Sequence, residues 1–243
     1  MNILSFPPHR VLLAPLAPAS LNADWFDPEW LTAQGWVTGS SDSSGRNPAW
    51  FFQQDGQEYV LRHYWRGGLP GKIFKDGYLY LGETRSRPYG ELALMIALHE
   101  QGLPVATPIA ARLTRTGLTY RADLITAKLP QSRDLVKVLS GQPMAAERWQ
   151  ELGAVLARFH RAGVYHADLN ARNILLSQEQ FYLIDFDRGE LRQPGTDWQQ
   201  ANLARLRRSL LKEQGRVESL CYDDGADWAA LTAGYNKVLA SAS

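Results

Sequence analysis

The sequence HADLNARN at residues 166–173, followed by YLIDFD at residues 182–187, is the most informative pattern in this chain. Within it, Asp168 comes two residues after a histidine, Asn173 comes five residues after Asp168, and an apolar run then leads to Asp185. A polar turn separates two short apolar pieces between Asn173 and Asp185, which predicts a two-stranded hairpin. Because the two ends of a hairpin lie side by side, we expect Asn173 and Asp185 to be neighbours.

The same residues form the catalytic pattern of protein kinases, in which a strand that ends in Asp-Phe follows a His, Asp and Asn at these spacings. Phosphoryl transfer needs a carboxylate that orients the attacking hydroxyl and accepts its proton, and it needs hard oxygen ligands for Mg²⁺. The spacing therefore predicts Asp168 as the catalytic carboxylate, with Asn173 and Asp185 as the metal ligands. We interpret His166 as an anchor for the loop backbone and not as a base.

Asp187 departs from this pattern, because protein kinases have a glycine after their Asp-Phe pair. Two interpretations stay open: Asp187 is a further carboxylate on the metal or substrate side, or it is a surface turn residue. A glycine would also permit a tight bend at this place.

A polar, turn-rich stretch between Val37 and Ala49 predicts a strand, a loop and a second strand. Gly39 and Gly45 lie in this stretch, and glycines let backbone N–H groups approach the phosphates of a nucleotide. The stretch is not a G-x-G-x-x-G motif, so an ordinary hairpin loop is the alternative. Together with the downstream motif, it favours a phosphate-covering loop, with Gly39 and Gly45 as ATP-binding residues.

Glu91 lies on the apolar stripe of a predicted helix that starts near residue 86. A carboxylate on an inward face needs a partner, because an unpaired buried charge is costly. The kinase pattern has a lysine on the third strand, and Arg62 stands at that place here. We therefore predict Arg62 as the cation on the phosphate side, with Lys72 as its competitor and an exposed strand residue without such a role as the third alternative.

Composition describes an ordinary globular chain of 243 residues, 45% hydrophobic and 21% charged. The 26 Lys and Arg residues against 25 Asp and Glu give no bulk positive charge, so we expect no nucleic-acid partner. Strands come first and helices later, which predicts an α+β, two-lobed, protein-kinase-like fold. The β-rich N-terminal lobe, which covers the nucleotide, is expected over residues 1–128. A mainly helical, reduced C-terminal lobe with the catalytic loop, metal site and acceptor side is expected over 129–243.

The uncharged run at residues 11–23 is too short for a spanning helix of about 20 residues. It is similar to a signal peptide, but its prolines favour an irregular N-terminal strand or arm. Any membrane contact is therefore expected to be peripheral.

The residues after the motif suggest the class of acceptor. Only 58 residues come after Asp185, without an Ala-Pro-Glu sequence or a long activation segment. The platform on which protein kinases bind their substrates is therefore mostly missing, which favours a small-molecule or lipid-linked hydroxyl.

The sequence resembles the Kdo (3-deoxy-D-manno-octulosonic acid) kinases of Gram-negative bacteria, relatives of the heptose kinases of the lipopolysaccharide core. The resemblance covers nearly the whole chain. Besides the catalytic loop and IDFD at 184–187, it rests on LRHY at 61–64, RGG at 66–68, SRP at 86–88 with Glu91, GLPVATP at 102–108, ADLIT at 122–126 and NLARLRRSL at 202–210.

This resemblance implies ATP- and Mg²⁺-dependent phosphorylation of the 4-hydroxyl of Kdo in Kdo-lipid IVA, by a peripheral protein at the cytoplasmic face of the inner membrane. Such an acidic glycolipid needs cations near the catalytic carboxylate. Exposed aromatic residues could contact lipid or belong to the core. The candidate cations are Arg66, Lys72, Arg205, Arg207 and Arg208, and the aromatic residues are Tyr64, Trp65, Tyr78 and Tyr80.

Three rival functions stay open: a heptose kinase of the same superfamily, a kinase for another small molecule, and a nucleotide-binding regulatory module without activity. The intact Asp168, Asn173 and Asp185 argue against the regulatory module.

Overall fold

The computed structural model describes residues 1–41, 48–65 and 76–241. The chain divides into two compact units, the first comprising Met1–His99 with Ala106–Lys128 and the second comprising Glu100–Val105 with Leu129–Ser243. The first unit contains a large antiparallel sheet, and the second is mainly helical. The α+β class predicted from the sequence is confirmed.

The sheet of the first unit has the strand order β1-β2-β7-β8-β5-β4-β3, and β6 pairs with β8. Long hairpins form because β-branched and aromatic residues alternate with polar ones between turn residues. The strands are β1 (Asn2–Phe6), β2 (His9–Leu13), β3 (Val37–Ser40), β4 (Trp50–Gln54), β5 (Gln57–His63), β6 (Tyr78–Leu79), β7 (Pro108–Thr116) and β8 (Thr119–Ala127).

The apolar run near the N-terminus begins in this sheet, with residues 11–13 in β2. Val11 and Leu12 are fully buried in β2, which pairs with β1 and β7. Downstream, Trp25 packs edge-on against Phe52 and Tyr59 in the core, with ring centroids 5.9 and 5.6 Å apart. The interpretation of this run as an irregular strand or arm is confirmed, because residues 11–13 lie in β2 and residues 14–22 are irregular.

Two helices accompany the sheet, α1 (Pro28–Ala33) and α2 (Arg87–Glu100). The side chain of Asp27 caps α1 by accepting the N–H of Glu29 at 2.9 Å, and Pro28 stands in the first turn. The apolar stripe of α2 is buried, and the carboxylate of Glu91 is buried with it.

The second unit contains four helices and five short strands among the residues described. The strands pair as β12-β11-β9 and β10-β13. The elements are β9 (Arg133–Asp134), α3 (Leu135–Leu139), α4 (Ala146–Arg161), β10 (Val164–Tyr165), β11 (Ile174–Ser177), β12 (Gln180–Leu183), β13 (Glu190–Leu191), α5 (Thr196–Gln214) and α6 (Ala226–Ala240).

Helices α4 and α6 approach each other at two glycines. A Cβ added to Gly153 would lie 1.9 Å from the carbonyl oxygen of Leu231, and one added to Gly234 would lie 2.0 Å from that of Gln150. Only glycine permits this close contact of two helix backbones. Within the described residues, the helices are all too short or too polar to cross a membrane.

Candidate active site

The loop after β10 is fixed by His166, whose side chain is buried. Its Nε2–H donates to the carbonyl oxygen of Ile184 at 3.0 Å, and its Nδ1 accepts the backbone N–H of Asp168 at 3.2 Å. Burial lowers the pKa of His166, which keeps the imidazole neutral and suited to one donor and one acceptor bond. The prediction that His166 anchors the loop backbone is confirmed.

The carboxylate of Asp168 is 60% exposed at the surface of the second unit. Arg205 donates to its Oδ1 at 3.0 Å, and the side-chain amide of Asn170 donates to its Oδ2 at 3.1 Å. Two bonds therefore orient a carboxylate that is accessible to solvent.

Asn170 and Asn173 fold the loop into a 3-10 turn at residues 171–173. The Oδ1 of Asn170 accepts the N–H groups of Arg172 and Asn173, at 2.9 and 3.2 Å. The Nδ2 of Asn173 donates to the carbonyl oxygen of Asp168 at 3.0 Å. Because its nitrogen is committed to the loop, Oδ1 is the atom that Asn173 can offer to a metal ion.

The hairpin β11–β12 places Asn173 beside Ile184, whose N–H donates to the carbonyl of Asn173 at 3.0 Å. Asp185 is the next residue, so the predicted proximity of Asn173 and Asp185 along the hairpin ends is confirmed. Asp185 adopts a left-handed backbone conformation with φ of 64°. Such a φ is uncommon for a residue with a side chain and is often found at functional sites.

The bend after Asp185 forms without a glycine at position 187. The N–H of Gly189 donates to the carbonyl of Phe186 at 2.7 Å, and the left-handed φ values fall on Asp185 and Arg188. Phe186 is fully buried and stacks on Phe159 with ring centroids 6.0 Å apart. The half-buried Asp187 is thus compatible with the bend.

One face of α5 supports the loop, a role that our interpretation of the sequence missed. Asn202 accepts the backbone N–H of His166 at 3.1 Å and donates to its carbonyl at 3.2 Å. Farther along the helix, Ser209 accepts the N–H of Ala171 at 2.8 Å. The side chains that contact the loop are Asn202, Arg205, Ser209 and Glu213, and this helical spacing of polar residues is the signal that could have identified them.

The first unit contains the predicted pair of Arg62 and Glu91. Arg62 donates to Oε1 of Glu91, whose side chain has no exposed surface, so the predicted pairing is confirmed. Tyr64 donates to the other oxygen, Oε2. The sequence did not lead us to expect Tyr64 as a second partner of Glu91. The signal was its spacing, because residues two apart on an extended chain, such as Arg62 and Tyr64, share a face. The role of the pair in nucleotide binding stays a prediction.

Other predicted residues have different outcomes. Gly45, Arg66 and Lys72 lie outside the described residues. Gly39 belongs to strand β3, where it pairs with Phe51, so the strand extends farther than the sequence suggested.

The structure corrects the role of Arg207 and decides between the alternatives for two tyrosines. Arg207 donates two hydrogen bonds of 2.7 Å to Asp224. Its charge is therefore part of a structural ion pair and not of the expected group of cations near Asp168. Tyr64 and Tyr78 are buried, so the interpretation of these tyrosines as core residues is the correct one, while Trp65 is 37% exposed.

A metal site of magnesium type is consistent with the donors present. Among the residues that the structure describes, no three His, Cys, Asp or Glu side chains cluster as metal ligands. Mg²⁺ commonly uses one or two protein oxygens and takes its remaining ligands from substrate phosphates and water. The amide oxygen of Asn173 and the carboxylate of Asp185 fit that requirement.

Known proteins are similar to this chain over most of its length. A model of the lipopolysaccharide kinase (Kdo/WaaP) family matches residues 28–235. The 3-deoxy-D-manno-octulosonic acid kinase of Vibrio parahaemolyticus is 44% identical over 189 residues, 77% of this chain and 78% of its own. That of Stenotrophomonas maltophilia is 46% identical over 196 residues, 79% of this chain and 76% of its own. A solved structure of WaaP in complex with acyl carrier protein covers 94% of this chain and 89% of its own, with a TM-score of 0.57 and 16% identity.

Proposed function

The chain belongs to the lipopolysaccharide kinase (Kdo/WaaP) family, and from this premise we propose that it uses ATP to phosphorylate Kdo during lipopolysaccharide synthesis. The similar proteins named as 3-deoxy-D-manno-octulosonic acid kinases support this acceptor. We propose the 4-hydroxyl of Kdo in Kdo-lipid IVA as the reacting group, at the cytoplasmic face of the inner membrane.

The observation that carries the proposal is the anchored loop with Asp168, Asn173 and Asp185. His166 and Asn202 hold its backbone by four hydrogen bonds, and the two metal-type oxygens lie at neighbouring hairpin ends. Phosphoryl transfer depends mainly on positioning and on charge neutralisation, which a preorganised loop of this kind supplies.

Asp168 acts as the proton acceptor in this proposal. Its exposed carboxylate orients the acceptor hydroxyl, and it receives the proton as the oxygen of the acceptor bonds to phosphorus. Arg205 and Asn170 restrict the rotation of the carboxylate and keep its charged form hydrogen-bonded. Bound ATP and Mg²⁺ would supply the phosphoryl group and neutralise its negative charge, with Asn173 and Asp185 holding the metal.

Arg62 and Glu91 are proposed to serve the nucleotide phosphates. Glu91 is fully buried and accepts from both Arg62 and Tyr64, which fixes the direction of the guanidinium group. Arginine keeps its charge and offers several donors, so it can take the place that lysine holds in protein kinases. Asp187 stays a candidate on the substrate side.

A patch at one end of the sheet supports peripheral membrane contact. Leu79, Leu81 and Leu118 are large apolar side chains that are 61%, 63% and 76% exposed. The N–H of Tyr80 donates to the carbonyl of Leu118 at 2.9 Å, which brings these three residues to the same turn. Exposed apolar patches of this kind mark membrane or protein contacts.

Sedimentation with phosphatidylethanolamine–phosphatidylglycerol vesicles tests the membrane contact. The double variant Leu79→Ser/Leu118→Ser is expected to bind vesicles less than the parent does, and Leu191→Ser/Leu211→Ser, with exposed leucines of the second unit, is the matched control. Equal binding by all three proteins would place the membrane contact elsewhere.

The reaction is tested with ATP, Mg²⁺ and Kdo-lipid IVA in detergent. We expect a product heavier by one phosphate, and nuclear magnetic resonance of that product should locate the phosphate on the 4-hydroxyl. A phosphate on a heptose-containing acceptor, with none on Kdo-lipid IVA, would reject the proposed acceptor and favour the heptose kinase.

A further inference from the structure

An open cavity of about 570 Å³ lies beside Asp168 in the second unit. Its volume falls within the range of small-molecule sites, about 300 to 1,000 Å³. Five cations and two carboxylates contribute to its lining, in a chain whose formal net charge is only +1. A concave surface with such an excess of positive charge attracts anions. The charged lining consists of Arg172, Arg205, Arg208, Lys212 and Arg216, with Asp168 and Glu213.

The two carboxylates are already bound by three of these cations. Arg205 contacts Asp168 at 3.0 Å. Glu213, which is buried, lies 2.6 Å from Arg172 and 3.7 Å from Arg216. These pairs stabilise the loop and the end of α5, so three of the cations have a structural explanation.

Arg208 and Lys212 are the remaining two. Both are exposed, and neither forms an ion pair with any residue in the described parts of the chain. Residues three and four apart share a helix face, so Arg205, Arg208 and Lys212 follow one another along the same side of α5. Arg205 contacts Asp168 and therefore serves as the reference point on the helix. At a rise of 1.5 Å per residue, the backbone of Arg208 lies about 4.5 Å and that of Lys212 about 10 Å farther along the helix axis.

We propose, resting on the proposed function, that Arg208 and Lys212 bind anionic groups of the acceptor while its hydroxyl lies at Asp168. An acceptor whose anionic groups extend along this side of α5 from its reacting hydroxyl meets both cations. Arginine binds carboxylate or phosphate in a bidentate manner, and lysine binds either as a point charge. In Kdo-lipid IVA the carboxylate of the sugar and the phosphates of the lipid are the two sources of this charge.

The double variant Arg208→Gln/Lys212→Gln tests the proposal in steady-state kinetics with Kdo-lipid IVA. Because charge-assisted hydrogen bonds to the acceptor are lost, we expect the KM for the acceptor to rise at least about tenfold. The kcat and the KM for ATP are expected to change little. Arg161→Gln/Lys237→Gln, with the same loss of charge on α4 and α6 outside the cavity, is the matched control and should behave like the parent. An unchanged KM for the acceptor in the cavity variant would overturn the proposal.

Two further acceptors distinguish the sources of the charge. If the double variant also has a higher KM than the parent for free Kdo, the contact is with the carboxylate of the sugar. If the two proteins have the same KM once the phosphates are removed from the lipid, the contact is with a phosphate. If the parent does not phosphorylate Kdo at all, the proposed function fails, and the cavity is then tested by direct titration of Kdo-lipid IVA micelles. Weaker binding of the micelles by the double variant than by the parent would support the anion site. Equal binding by the two proteins would overturn it, as would weaker binding by the double variant that is seen only with lipid vesicles without the acceptor.

Discussion

Replacement of Asn202 by alanine should reduce both stability and turnover. Its side chain is buried and makes two hydrogen bonds to the backbone of His166, at 3.1 and 3.2 Å. Asn202→Ala leaves a buried N–H and a buried carbonyl without these partners, at a cost of about 1 to 3 kcal/mol each. With partial relaxation of the loop, we expect the free energy of unfolding to fall by about 3 kcal/mol.

The same change should loosen the loop that positions Asp168. A displacement of about 1 Å can lower a rate about 100-fold, so we expect kcat to fall by roughly that factor. Gln199→Ala, one turn earlier on α5, is the control, because it removes a single bond of 3.2 Å to the carbonyl of His160. Gln199→Ala should cost about 1 kcal/mol and leave kcat unchanged.

Urea unfolding monitored by circular dichroism gives the stability, and phosphate transfer under saturating substrates gives kcat. If Asn202→Ala matched Gln199→Ala in both measurements, the claim that α5 holds the catalytic loop would be wrong.

Packing and charge lead to three further predictions. Gly153→Ala should destabilise the protein by about 2 kcal/mol in urea unfolding because its Cβ would meet a carbonyl at 1.9 Å. Gly90→Ala, with open space around it in α2, should stabilise the protein by about 0.5 to 1 kcal/mol. A change of the same sign in both variants would contradict the structure. Burial lowers the pKa of His160 from 6.5 to about 4. The free energy of unfolding should therefore fall by about 3 kcal/mol as the pH decreases from above 6.5 towards 4, because the unfolded chain binds the proton more readily. His160→Gln should remove that part of the pH dependence in urea unfolding; an unchanged slope would show that another group causes it. Glu91→Gln should raise the KM for ATP at least about tenfold because it removes the carboxylate that pairs with Arg62. Tyr64→Phe should raise this KM less because it removes one donor to Glu91 and leaves the ion pair with Arg62 in place. Equal effects of the two variants would exclude a special role for the ion pair.

The catalytic loop could be predicted because phosphoryl transfer restricts both residue type and spacing. A carboxylate, an amide and a second carboxylate at fixed separations leave few alternatives. The hairpin could be inferred from local turn chemistry, so the proximity of Asn173 and Asp185 needed no long-range information. For the same reason the pairing of Arg62 with Glu91 was predictable, since a buried carboxylate requires a cation.

Contacts between distant segments were harder to predict. The support that Asn202 gives to His166 joins residues 36 positions apart, and nothing in either local sequence specifies that register. The expectation that Arg207 is a cation near the catalytic carboxylate was also wrong. Arg207 pairs with Asp224, which lies beyond the end of α5. Sequence patterns identify a helix face, and tertiary packing decides which neighbour that face contacts.

The fate of the apolar run near the N-terminus was a further long-range question. Its composition is compatible with a signal peptide, whereas residues 11–13 pair with β7, about 100 residues later, and Val11 and Leu12 are buried there. Local hydrophobicity could not distinguish these outcomes, although the prolines favoured the strand.

Asp168 is proposed to accept the proton of a Kdo hydroxyl during phosphoryl transfer. This role is tested by measuring kcat with Kdo-lipid IVA for the parent and for Asp168→Asn, together with ATP binding by both proteins. Asparagine preserves the shape of the side chain but cannot accept the proton, so we predict that kcat falls at least about 100-fold while ATP binding is unchanged. Phosphorylation of Kdo-lipid IVA by Asp168→Asn at the rate of the parent would contradict the account.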